Sequence, residues 1–146
     1  MDVRTLLGGI SYNKALAREM GDQIEALYAS LLPRGFRYDK DNVQSSGNDH
    51  TADTLDRIED KRRQRQQLID QADQDEAVAL KIIGGVQQID SREALILTMY
   101  YLRDGRDSFE EIGHELNYSG EWIRRIYHDA IRHAQEVYDG MQNSDG

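Results

Sequence analysis

Apolar side chains in this chain recur three and four positions apart, and that spacing admits helices and little else. Leu16, Met20, Ile24, Leu27 and Leu31 follow one another at intervals of four, four, three and four, which keeps them on one stripe of a helix. Ser11 stands where it could cap that helix, which is expected from Asn13 to Leu32. Val3, Leu6, Leu7 and Ile10 would extend the stripe, but Gly8-Gly9 weakens a continuous helix there. Runs of β-branched residues are scarce, so the whole chain reads as all-α.

The first break falls at Pro33, the sole proline, and Gly35. From Arg34 to His50 turn formers dominate, among them Asp39, Asp41, Asn42, Ser45, Ser46, Gly47, Asn48 and Asp49. Asp39-Lys40-Asp41 does not continue as a calcium loop, because Val43 stands where an oxygen ligand is needed and no Glu closes the loop. A second helix is expected from Thr51 or Asp53, with Asp53 and Asp56 suited to its positive end. It should reach Ile83, where Gly84-Gly85 marks a kink or stop. Leu55, Ile58, Ile69, Ala72, Ala79 and Ile83 fit a heptad seam that Arg62 and Arg65 interrupt. The cluster Lys61, Arg62, Arg63 and Arg65 reads as a solvated face paired with Asp56, Glu59 and Asp60, rather than as a DNA-binding patch. Residues 1–85 are thus expected to form a helical hairpin for interaction or oligomerisation, completed by a second chain.

With 38% hydrophobic and 31% charged residues, the core must be narrow. The absence of cysteine removes disulfides, thiolate metal sites and Cys nucleophiles together. The four histidines have no metal-ligand spacing, and no metal or cofactor is expected. The N-terminus lacks a basic start followed by an apolar run, and no apolar stretch approaches the roughly 20 residues of a membrane span. The expectation is a soluble, cytoplasmic protein with no membrane partner. An enzyme is not expected. The carboxylate pairs Glu110-Glu111 and Asp104/Asp107 sit in a capping box and a turn, without a nucleophile and base beside them.

The pattern sharpens from Asp90. Ser91-Arg92-Glu93 opens a helix with Ala94, Leu95, Leu97, Met99 and Leu102 as its apolar residues, and Asp104-Gly105-Arg106-Asp107 is a turn. Ser108 precedes Glu111 by three residues, a capping-box signature for a short helix from Phe109 to Leu116. Asn117-Tyr118-Ser119 forms the next turn, and the last helix is expected from Gly120 to Tyr138. With Ile112, Leu116, Ile123, Ile126, Ala130 and Ile131 inward and Gly113 allowing close approach, this is the helix-turn-helix plan. Residues 86–140 are the expected DNA-binding domain, and 141–146 a flexible tail.

The outer face of the last helix gives the candidate DNA contacts: Ser119, Gly120, Glu121, Trp122, Arg124, Arg125, His128 and Arg132. Arginine can bond guanine edges or phosphates, Glu can accept from cytosine, and Ser119 can reach a phosphate. Trp122 can stack on a sugar or touch a thymine methyl, or else pack against the hairpin. The net charge of −9 opposes general polyanion binding. Locally, however, Arg124, Arg125 and Arg132 outnumber Glu121 and Asp129.

The stretch from Ser108 to Ala134 resembles the helix-turn-helix of sigma factor region four, which reads the −35 promoter element. Glu110-Glu111-Ile112-Gly113, Ser119, Glu121, Ile123-Arg124, Ile126 and Ala130 stand at matching places. From about Tyr38 to Ala134 the chain also resembles the ArpU-type phage regulators of Gram-positive hosts, including a loop here written Val43-Gln44-Ser45-Ser46. That resemblance implies a phage or prophage activator of late genes, binding promoter or operator DNA with host RNA polymerase as partner. Gly120 and Trp122 replace arginines usual in primary sigma factors, and Arg125 replaces a glutamine, so the −35 preference is not carried over. Nothing resembles the −10-binding part, so the chain is not expected to melt promoters alone. Two other readings stay open: a phage small terminase subunit binding packaging-site DNA as a ring, and a helical adaptor holding RNA polymerase without DNA.

Overall fold

The computed structural model describes residues 1–32, 47–103 and 107–144. Their regular structure consists of α1 (Val3–Leu31), α2 (Gly47–Ile89), α3 (Ser91–Leu97), a π-helical turn (Thr98–Leu102), α4 (Phe109–Leu116) and α5 (Gly120–Ser144). No described residue lies in a strand, in agreement with the all-α expectation. The expected break at Pro33 and Gly35, Asp39-Lys40-Asp41, Val43-Gln44-Ser45-Ser46 and most of the turn at Asp104-Gly105-Arg106 lie outside the described residues.

Both glycine pairs sit inside helices, contrary to expectation. α1 runs unbroken through Gly8-Gly9, and Ser11, expected as its cap, instead donates from Oγ to Gly8 O at 3.4 Å. Buried Val3, Leu6, Leu7 and Ile10 flank the pair, and their burial outweighs a propensity cost of about 1 kcal/mol per glycine. α2 likewise continues past Gly84-Gly85 to Ile89. A Cβ at Gly85 would lie 2.7 Å from Val137 Cγ1 of α5, so this glycine admits a neighbouring helix. α2 also begins at Gly47, ahead of the expected Thr51. Residue types that mark loops also favour helix starts. Similarly, α5 runs past the expected Tyr138 because Tyr138 is buried and Met141 packs on the core.

Contacts divide the chain into two compact units, Met1–Tyr12 with Gln71–Gly146, and Asn13–Asp70. In the second unit the fully enclosed described side chains are Ala17, Ile24, Thr54 and Ile58. The basic cluster here has a different use from the one its spacing suggested. Arg63 does pair with Asp60 at 3.2 Å. The other three turn onto α1: Lys61 Nζ donates to Gln23 Oε1 at 2.8 Å, Arg65 Nε to Ala17 O at 3.1 Å, and Arg62 to the Tyr28 hydroxyl while lying 5.2 Å from that ring's centre.

The first unit gathers both chain ends. Val3, Leu6, Leu7 and Ile10 of α1 join Ala79, Ile82, Ile83 and Val86 of α2 and the inner faces of α3, α4 and α5 in one core. Val3 N donates to Gln135 Oε1 at 2.9 Å. Asp90 caps α3 by accepting from Arg92 N at 2.9 Å. The following π-helical turn, with its wider i to i+5 bonding, brings both Met99 and Tyr101 inward. Tyr100, Phe109 and Tyr127 cluster with ring centres 4.9 to 5.1 Å apart, and the Tyr101 and Tyr127 hydroxyls share a 2.5 Å hydrogen bond. Burial, helped by that bond, pushes the Tyr101 phenol far above its ordinary pKa. Buried Glu93 places Oε1 2.5 Å from His133 Nδ1, so its carboxylate is satisfied across α3 and α5.

Candidate nucleic-acid interface

The geometry of the α4–turn–α5 segment follows from a few local interactions. Ser108 Oγ accepts from Glu111 N at 3.1 Å, and Glu111 Oε1 accepts from Ser108 N at 3.4 Å. This reciprocal capping box fixes the start of α4 where the sequence placed it. The helix ends at Asn117 with φ 63°, the left-handed conformation that Asn tolerates better than most side chains. Tyr118 N then donates to Gly113 O at 2.8 Å, folding the turn back onto α4. A Cβ on Gly113 would lie 2.4 Å from Tyr118 O. Glycine is thus required here by the turn backbone itself. Ser119 Oγ accepts from Trp122 N at 3.1 Å and caps α5.

Ile112 and Ile123 are fully buried at the junction of the two helices, with Ile126, Ala130 and Ile131 also enclosed and Leu116 half-buried. Each large aliphatic side chain buried this way contributes about 1.5–3 kcal/mol of transfer free energy. The junction is therefore anchored by its core as well as by its turn, which leaves the outer face of α5 projecting from a rigid support.

Every sequence-predicted contact residue maps to that exposed side or its rim. Ser119, Glu121, Trp122, Arg124, Arg125, His128 and Arg132 are exposed, and Gly120 is half-buried beneath Glu110. Trp122 remains 40% exposed, so a ring face or edge is accessible to a ligand. Glu121 Oε1 lies 3.2 Å from Arg124 NH2 and 3.9 Å from Arg125 Nε, and Arg132 pairs with Asp129 at 3.4 Å. These are solvated pairs that exchange readily for other partners. Because Ser119 Oγ is engaged as an acceptor, its proton stays available for donation.

Arg92 is a neighbour that spacing did not single out. It lies on α3, remote in sequence from the turn, yet its guanidinium interacts with Asp90 and with the Tyr118 side chain. The Asp90 carboxylate beside it, with Tyr118 in support, raises its pKa, and Arg92 in turn lowers that of Asp90. On the other side, Asp107, Glu110, Glu111 and Glu115 of the α4 region line a hollow with Arg103 and His114. Arg103 bonds Glu115 at 2.7 Å and Asp107 at 2.9 Å, holding the Glu115 carboxyl below its usual range. The acidic outer side of α4 repels phosphate, whereas α5 presents arginines.

Residues 86–135 match the family described as Sigma-70, region 4, a DNA-binding helix-turn-helix module. No curated protein and no solved structure matches the chain significantly.

Proposed function

We propose that the chain is a sequence-specific DNA-binding transcription regulator that seats the N-terminal outer face of α5 in the major groove. The observation that carries this reading is the α4–turn–α5 junction. Its buried isoleucines and tight Gly113 turn hold Ser119, Glu121, Trp122, Arg124 and Arg125 together on one exposed helix face. A groove about 12 Å wide accepts such a helix, and its first turns reach base edges. Arg124 and Arg125 are the principal contacts, with Glu121 reading an adjacent base edge. Ser119, Gly120, Trp122, His128 and Arg132 border the sugar–phosphate backbone.

The biological setting we propose is a phage or prophage late-gene activator working with host RNA polymerase in the bacterial cytoplasm. It is supported by the sigma-like segment and by the resemblance of residues 38–134 to ArpU-type regulators. Genome-wide footprinting in the host tests the setting: protected sites should lie upstream of late genes, and protection confined to packaging sites would refute it. The contact assignment is tested by replacing Arg124 and Arg125 with Ala and titrating a footprinted site. Each good base contact is worth about 1–3 kcal/mol. The double variant should therefore bind about thirty-fold to ten-thousand-fold more weakly, and unchanged affinity with an intact fold would remove both residues from the interface.

A further inference from the structure

Three charged side chains crowd the first two turns of α5 on its exposed side. Arg124 and Arg125 lie within about 60° of Glu121 around the helix and roughly 4.5 to 6 Å further along its axis. The Glu121 carboxylate uses this closeness twice. Its Oε1 accepts from Arg124 NH2 at 3.2 Å and stands 3.9 Å from Arg125 Nε. A second carboxylate stands at the same end of the helix. Gly120 leaves room for Glu110 of α4, whose Oε1 lies 3.2 Å from where a Cβ on Gly120 would be. Among these four side chains the charges cancel, at the place where the helix would meet DNA.

Resting on the DNA-binding reading above, we infer that Glu121 is a specificity gate. It holds Arg124 and Arg125 back from the phosphates of unrelated sequences and releases them only at a site whose bases satisfy its carboxylate. The chemistry is asymmetric. A carboxylate only accepts hydrogen bonds, and so do phosphate oxygens. Binding to arbitrary sequence rests on phosphate contacts. In that mode an arginine that leaves Glu121 for a phosphate strands the carboxylate among anions. Major-groove edges differ, because guanine O6 and N7 are acceptors whereas cytosine N4 is a donor. A G·C pair at the start of α5 therefore accepts an arginine and also supplies the donor that replaces it at Glu121. Exposed pairs of this kind are weak: they bias where the arginines go, yet they exchange at the right site.

The test compares the wild type with Glu121→Gln on two probes, the footprinted site and a random-sequence duplex of equal length. Gln keeps the size of the side chain and, because Glu121 is exposed, leaves the core untouched. On the random duplex the variant should bind roughly three- to tenfold more tightly, since two solvated pairs no longer compete. Its log–log salt slope there should steepen by roughly 0.9 for each arginine freed. On the footprinted site it should bind about five- to 150-fold more weakly, since one base contact is lost. The preference for the site should therefore fall at least about tenfold. Glu136→Gln removes the same charge roughly 22 Å further along α5 and should change either affinity by less than about twofold. An unchanged preference in Glu121→Gln, or an equal gain on random DNA from Glu136→Gln, would overturn the gate while leaving the DNA-binding reading in place. A wild type that binds both probes alike would refute that reading and the gate with it.

Discussion

Replacing Gly113 with Ala tests the turn that aims α5. The added Cβ would stand 2.4 Å from Tyr118 O, 3.1 Å from Ser119 C and 3.2 Å from Gly120 N. All three are backbone atoms, so no rotamer change relieves the overlap. Against a normal contact of roughly 3.5 Å, the turn would have to retreat by about 1 Å. That retreat strains or breaks the 2.8 Å bond from Tyr118 N to Gly113 O. Overpacking costs about 1–3 kcal/mol and the weakened hydrogen bond about 1 kcal/mol, offset by about 1 kcal/mol of better helix propensity. The net loss, about 2 kcal/mol, lowers the melting temperature by about 4–8 °C for a chain of 146 residues. Gly84→Ala is the control, since Gly84 is also within a helix but its Cβ would meet nothing within 4 Å. It should stabilise by up to about 1 kcal/mol. Thermal melts followed by circular dichroism compare the pair. Gly113→Ala melting at or above the wild-type temperature would refute the close-approach argument.

Ser108→Ala removes the cap of α4 and should cost about 1 kcal/mol in urea denaturation, within the usual range of about 0.5–2; no change would mean the capping box contributes nothing. Salt titration of the footprinted site should give a log–log slope of roughly −3 to −4 per subunit, at about −0.9 per neutralised phosphate. A slope near −8 would place the Lys61–Arg65 cluster on DNA, against its bonds to α1. Asp90 and Glu115, lowered in pKa by bonds to Arg92 and Arg103, contribute stability that is present above the ordinary carboxylate range and lost as pH falls below about 4. Asp90→Asn with Glu115→Gln should therefore flatten the fall in melting temperature in acid, and a decline as steep as the wild type's would contradict the assignment.

The parts of this fold that were legible in the sequence are those set by neighbours within one helical turn. Ser108 and Glu111 announce the start of α4, and the spacing of Ile123, Ile126, Ala130 and Ile131 gives the inner face of α5. Glycine was misread because its meaning depends on what approaches it. Gly84-Gly85 resembles a stop until Val137 is seen against Gly85. On α3 the apolar residues named from the sequence do not all face the core: Leu95 is 45% exposed, while Ile96, not named among them, is buried. The exposed face of α5 was legible because one helix carries it, whereas Arg92 reaches the turn only through tertiary packing.

The hydrogen bond from Val3 to Gln135 spans 132 positions, and it sets an order on the ribosome. Val3, Leu6, Leu7 and Ile10 are synthesised well over a hundred residues before the α5 residues of the same core. At usual elongation rates of about 5–20 residues per second that interval is on the order of ten seconds, long compared with helix formation. Closing so long a loop costs about 4 kcal/mol of chain entropy, to be recovered only when the final helix arrives. Until α5 is made, the apolar stripe of α1 has only the buried residues of α2 and α3 to pack against. A polypeptide truncated before α5 leaves part of that stripe exposed, and exposed apolar surface makes unfinished chains prone to aggregate.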